Sequence, residues 1–118
     1  MKQKVGDVVT FSYDGQEMFR FKIIDMVVWK EDFDDSAGHW AWTYTLQLLE
    51  DFANPEVGRQ LRLAYWVATP KTGGYDRFGQ YAPTLNEQTL LELMRQAIEK
   101  RFFSSTFVHN LKGALTDL

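Results

Sequence analysis

The first two-thirds of the chain alternates apolar and polar residues with period two. Val5, Val9, Phe11 and Tyr13 share one parity, with Thr10 and Ser12 on the other. Trp40, Trp42, Tyr44, Leu46 and Leu48 then share a face, as do Leu61, Leu63, Tyr65 and Val67. Side chains in a strand point to opposite faces in turn, so this alternation predicts half-buried strands. They are placed at about 5–13, 17–30, 39–50 and 59–69. From Pro83 the period changes. Leu90, Leu91, Met94, Ala97 and Ile98 recur at helical spacing, and Thr84 with Glu87 has the pattern of a capping box. A helix is expected over about 85–102, and a shorter one over about 105–116, started by Ser104 or Ser105. The predicted class is α+β: one domain over 1–118, with an antiparallel four-stranded meander packed against C-terminal helices.

Loop chemistry sets the expected registers. Asp14-Gly15 is a hairpin signal. A two-residue loop there pairs Val9 with Arg20 and puts the apolar faces out of step. A three-residue loop, Tyr13-Asp14-Gly15, sets Val9 opposite Phe19 and restores parity. The acidic stretch Glu31 to Gly38 is expected as the second loop, and Asp51 to Gly58 as the third. Matching core faces then pairs Trp29 with Trp40, Val27 with Trp42, Asp25 with Tyr44, Ile23 with Leu46, Tyr44 with Tyr65 and Leu46 with Leu63. A slip of two residues is compatible with the same faces.

Composition narrows the function classes. The chain has 118 residues, enough for a core without staples, and no cysteine, so thiol chemistry and disulfides are excluded. Nothing points to an oxidising compartment. The N-terminus lacks a leader's apolar run, and Ile23 to Trp29 is interrupted by Asp25 and too short to span a bilayer. A cytoplasmic location without membrane contact is the expectation. The net charge of −3 argues against a protein that coats nucleic acid. Nine Phe, five Tyr and four Trp are many for this length, and aromatic residues beyond those the core absorbs mark binding surfaces.

No motif ties the chain to a known family, and none calls for a cofactor or metal. Counted from Asp32, the acidic stretch has Ala37 and Thr43 where a calcium loop needs Gly and Glu. His39 and His109 show no ligand spacing, although His39 is within reach of Asp34 or Asp35 as a base. Lys71 to Pro83 is a long Gly-rich link without the Walker or dinucleotide spacing. Its Lys71, Tyr75, Arg77 and Tyr81 are candidates to grip an anionic or planar ligand.

Two further constellations follow from the expected register. Asp25 faces the core beside Tyr44 and Tyr65. It is either a polar group satisfied at a bulge or by the tyrosine hydroxyls, or the polar floor of an aromatic pocket between sheet and helix. On the other face, Ile24, Met26, Val28 and Trp66 form an apolar patch that calls for a cover: the segment from Phe107, or a second copy of the chain. Arg20, Lys22 and Arg62 near Trp66 give a weaker single-strand nucleic-acid reading. The leading expectation is a non-enzymatic interaction protein, a homodimer or part of a complex, acting through the sheet face and the glycine-aromatic loop. The alternatives are a binder of a small aromatic or anionic ligand, and an enzyme using Asp25 or His39 as base.

Overall fold

A computed structural model describes residues 2–51, 56, 58–73, 76–79 and 83–118. It shows an antiparallel sheet in the order β1-β2-β3-β4-β5, followed by two helices, α1 and α2. The strands are β1 (Val8–Tyr13), β2 (Gln16–Asp35), β3 (Gly38–Asp51), β4 (Arg59–Ala68) and β5 (Arg77–Phe78), and the helices are α1 (Glu87–Glu99) and α2 (Ser105–Thr116). The predicted α+β class and meander are observed. The fifth strand, absent from the expectation, arises inside the Gly-rich link, where Phe78 pairs with Trp66 and Arg77 with Val67. Among the described residues no helix is long and apolar enough to cross a membrane.

The first hairpin closes on two residues. Tyr13 pairs with Gln16, and Asp14 (φ 53°) and Gly15 (φ 77°) both occupy the left-handed region that a tight primed turn requires. Parity is restored elsewhere: Ser12 pairs with Glu17 but Phe11 with Phe19, so Met18 is an extra residue in β2. Val9 therefore faces Phe21, not the expected Phe19. A bulge does the work assigned to a longer loop.

A second bulge divides β2 again. Ile23 pairs with Leu49 and Asp25 with Leu48, leaving Ile24 unpaired in the ladder. It throws Ile23 onto the face opposite Val27. Two apolar clusters result. Ile23 packs with Val9 and Leu49, whereas Val27 packs with Tyr44, Leu48, Leu93, Ala97 and Phe102.

The acidic stretch is strand, not loop. β2 and β3 run to a turn at Ser36-Ala37, where Asp35 Oδ1 accepts from the N–H groups of Ala37 at 2.9 Å and Gly38 at 3.2 Å. Such a side-chain-closed turn is a reason for Asp at a strand end in spite of its low β-propensity. The short turn moves the register: Trp29 pairs with Tyr44 and Val27 with Leu46, four positions from the expected partners. The expected Tyr44–Tyr65 and Leu46–Leu63 pairs are both present.

α1 lies where β1 stops. β1 pairs only with Gln16 to Lys22, so the outer edge of β2 beyond them needs other partners. Gln96 and Lys100, one helical turn apart, donate to the carbonyls of Val28 (3.2 Å) and Met26 (3.1 Å). Thr89, Leu93 and Ala97, spaced by four, form the buried stripe of α1. Its cap is Asn86, not the expected Thr84: the Asn86 side chain accepts from the Thr89 N–H at 2.8 Å. Ser104 caps α2, as expected, accepting from Phe107 N–H at 3.1 Å. α2 buries none of its residues, and Phe107, Leu115 and Leu118 are exposed.

The face away from α1 is the inside of a curl. On a flat sheet, β1 and β4 would stand three strand spacings of ~4.8 Å apart. Yet the Arg62 guanidinium of β4 lies 5.3 Å from the Phe11 ring centre of β1. Thr45 and Gln47 are fully buried on this inner face and satisfied, Thr45 Oγ1 donating to Ala64 O at 3.0 Å and Gln47 Nε2 to Gln3 Oε1 at 2.8 Å.

Candidate functional site

The shortened turn lengthens the β2–β3 ribbon and brings Phe33, expected in a loop, onto the rings of Trp40 and Trp42. Phe33 pairs with Trp40 across the ribbon, and Trp42 stands two residues further along β3. The ring centres are 5.9 Å (Phe33–Trp40), 5.3 Å (Phe33–Trp42) and 6.0 Å (Trp40–Trp42), with planes within 17° of parallel. These are stacked contacts, and they stiffen a ribbon end that, among the described residues, has no strand beside it beyond Ala41. The ladder is not closed over: Phe33 is 47% exposed.

Between this ladder and the approach to α1 lies an open groove of about 700 Å³. Phe33, Trp42, Tyr44 and Leu85 give it apolar walls, and Glu31 supplies a carboxylate; Asp32 also lines it, but its side chain belongs to the other face of β2, with Oδ2 3.7 Å from His39 Nε2. None of the described lining residues is basic. Glu31 is fixed by the Thr89 hydroxyl, which donates to Glu31 Oε1 from the first turn of α1. The Tyr44 hydroxyl donates to Thr84 O at 3.1 Å, tying the approach segment to β3. Behind it, the Tyr65 ring stacks on Tyr44 at 6.4 Å. The sequence reading missed Glu31, Phe33 and Trp42 as site residues because it placed the first two in a loop. The available signal was Phe33, an aromatic residue on the parity of Val27 and Trp29.

The other predicted site residues do not converge. Asp25 is opposite Leu48, four positions along β3 from Tyr44. It serves the bulge: Asp25 Oδ1 accepts from Met26 N–H at 2.8 Å and from Lys100 Nζ at 3.3 Å. The tyrosine hydroxyls are not its partners. Lys71 is exposed in a 3-10 turn, Pro70–Thr72. Arg77 is exposed on β5 in the cross-strand row of Trp42 and Val67, outside the groove lining. Tyr75 and Tyr81 lie outside the described residues.

The expected apolar patch is also divided. Trp66 is 4% exposed, covered by Phe78 edge-on at 5.3 Å, so β5 supplies the cover assigned to α2 or a second copy. Ile24 packs toward α1, Met26 toward the Ile23 cluster, and Val28 is half-buried opposite Thr45. The same bulge puts Arg20 and Lys22 on the face opposite Arg62 and dissolves the nucleic-acid constellation. His39 Nδ1 meets Asp34 Oδ1 at 2.8 Å on the exposed ribbon end. Among the described residues no cluster of His, Asp or Glu is arranged to hold a metal ion.

Comparison with protein-family models, with curated proteins and with solved structures gives no match. The site is therefore interpreted from its own chemistry.

Two predictions arise from these contacts. The Tyr44 phenol is pushed above its ordinary pKa of 10.0, first by burial, then by the charges of Glu31 and Tyr65. The folded state thus holds this proton more tightly than the unfolded chain. Its contribution is complete below pH 10 and is lost as pH rises through the raised pKa. Unfolding midpoints are expected to fall above pH 10, and less steeply in Tyr44→Phe; equal slopes would remove Tyr44 as the cause. Second, Asp25→Asn keeps an acceptor for Met26 but loses the charge facing Lys100, and is expected to cost about 1 kcal/mol in urea unfolding. A clear stabilisation would instead show an acid held at the expense of the fold.

Proposed function

We propose that this chain is a non-enzymatic interaction protein that takes a basic side chain of a partner protein into the groove beneath the aromatic ladder. The observation that carries this reading is the pairing of exposed Phe33 and half-buried Trp42 with the carboxylate of Glu31, with no basic side chain in the described lining. A lysine or arginine suits that pairing. Its methylene stem lies on the rings, its charge gains a cation–π contact worth ~0.5–2 kcal/mol, and the Glu31 carboxylate neutralises it. The volume of about 700 Å³ is within the range of ligand sites. A protein partner is favoured over a free amine by α2, whose Phe107 and Leu115 are 42% and 63% exposed on one stripe and await a cover. Catalysis is less well supported, since Glu31 is engaged with Thr89 and Tyr44 keeps its proton. A cytoplasmic setting belongs to the same reading and rests on the absence of cysteine.

The test is a titration of lysine- and arginine-rich peptides followed by tryptophan fluorescence, with glutamate-substituted peptides as controls. Glu31→Gln retains an acceptor for Thr89 and removes the charge. It is expected to weaken binding about tenfold, or about 1.4 kcal/mol. Phe33→Ala is expected to do at least as much without unfolding the protein. Basic peptides that fail to bind, or bind both variants as tightly as wild type, would defeat the proposal.

A further inference from the structure

The inner face of the curled sheet has a charge problem of its own. Arg62 is half-buried there, its guanidinium held between the Phe11 ring at 5.3 Å and the Phe78 ring at 5.1 Å. Its hydrogen bond is to a neutral acceptor, Gln47 Oε1 at 3.3 Å. Among the described residues it has no carboxylate partner. Burial alone pulls its pKa down, which is the mark of a cation not compensated by a nearby anion. A guanidinium has five N–H donors in a planar fork, and a neutral amide oxygen occupies only part of it. A partly desolvated charge without an anion is costly, and the two rings offset only some of that cost.

Beside this guanidinium is an open groove of about 450 Å³. Phe11, Phe19, Phe21, Leu49 and Leu61 make its walls apolar, and its polar lining is Gln60 and Arg62. The described lining has no acidic side chain. Phe19 is 55% exposed, so apolar surface faces solvent around the one cation of the described lining. The shape is a greasy trough with one anion-seeking group at its inner end.

We infer that this trough binds an amphiphilic monocarboxylate of the straight-chain fatty-acid type, its carboxylate on the Arg62 fork and its chain along Phe11, Phe19 and Phe21. The fork matches a planar carboxylate in bidentate fashion, a geometry that a neutral headgroup cannot reproduce. The site is on the opposite face of the sheet from the aromatic ladder, and the inference is independent of the basic-partner reading.

The experiment compares decanoate with 1-decanol, each below its aggregation limit, by calorimetric titration and by emission of Trp66, which shares Phe78 with Arg62. Wild type is expected to bind decanoate saturably and at least tenfold more tightly than decanol. Arg62→Gln should abolish that preference. Since its fold could suffer, Gln60→Glu serves as a second variant. Gln60 is exposed, two residues from Arg62 on the same strand face, and a carboxylate there competes for the guanidinium. It should weaken decanoate at least fivefold more than it weakens decanol. Equal affinity for decanoate and decanol in wild type, no saturable decanoate binding, or a folded Gln60→Glu variant with unaltered preference would each overturn the inference.

Discussion

Leu93→Ala is expected to lower the stability of the protein by about 2–5 kcal/mol, the usual range for removing a buried leucine where the surroundings relax only in part. Leu93 is 1% exposed and central in the α1 stripe, with Thr89 and Ala97 fully buried one turn to either side. It joins α1 to Val27, Tyr44 and Leu48 on three different parts of the sheet. The consequence extends to the groove, because Glu31 is positioned from α1 by Thr89, and Thr84 by Tyr44. Urea unfolding should show a lower midpoint with an unchanged slope. Leu90 and Leu91, each 51% exposed on the same helix, are the controls, and their alanine variants should differ from wild type by less than about 1 kcal/mol. If Leu93→Ala behaves like the controls, α1 is not held by its apolar stripe, and the hydrogen bonds of Gln96 and Lys100 to β2 carry the attachment.

The helix was legible in the sequence because Leu90, Leu91, Met94, Ala97 and Ile98 recur at helical spacing, but its buried stripe is Thr89, Leu93 and Ala97, and Leu90, Leu91 and Ile98 are exposed. The faces of β3 and β4 were legible for a similar reason: both strands are unbroken, and alternation alone assigns Tyr44 and Tyr65 to one side. β2 defeated the same reasoning twice. Parity is counted along a chain, and an inserted residue at Met18 or Ile24 resets the count with no local signal. The error at Ile24 then spread. It carried Arg20 and Lys22 to the wrong face, and it joined Ile24 to Met26, which the bulge sends to different clusters. The acidic stretch misled for another reason. Asp32, Asp34 and Asp35 are poor strand formers, and only cross-strand stacking of Phe33 on Trp40 and Trp42, together with the Asp35 turn, outweighs that preference. The site followed from the register, so the aromatic ladder was hidden by the same four-position error.

The role of the Gly-rich link rests on Gly79, and Gly79→Ala is expected to be among the most damaging single-methyl changes in the protein. Gly79 N–H donates to Tyr65 O at 2.8 Å, continuing the pairing of β5 with β4. A Cβ at this position would stand inside the ring of Tyr65, closer than any van der Waals contact allows. The Tyr65 ring is itself stacked on Tyr44 and has little room to retreat. Either β5 peels away or the tyrosine pair is displaced, and overpacking of this kind costs about 1–3 kcal/mol or more. The two outcomes differ in what tryptophan emission shows. Peeling of β5 lifts Phe78 from Trp66 and from Arg62, so emission should shift to the red and the inner trough should lose one of its two cation–π contacts. Displacement of Tyr65 leaves Phe78 seated and Trp66 covered. Peeling is the expected result, because a two-residue strand has far less holding it than a ring packed between sheet and helix. Gly113→Ala is the matched control. It lies within α2 with open space where its Cβ would stand, and the same methyl group should there raise helicity, by about 0.5–1 kcal/mol of local preference. A Gly79→Ala variant with wild-type stability and unshifted emission would show that the link is not docked through Gly79. Trp66 would then need another cover, and the expected partner at that face would return as a live reading.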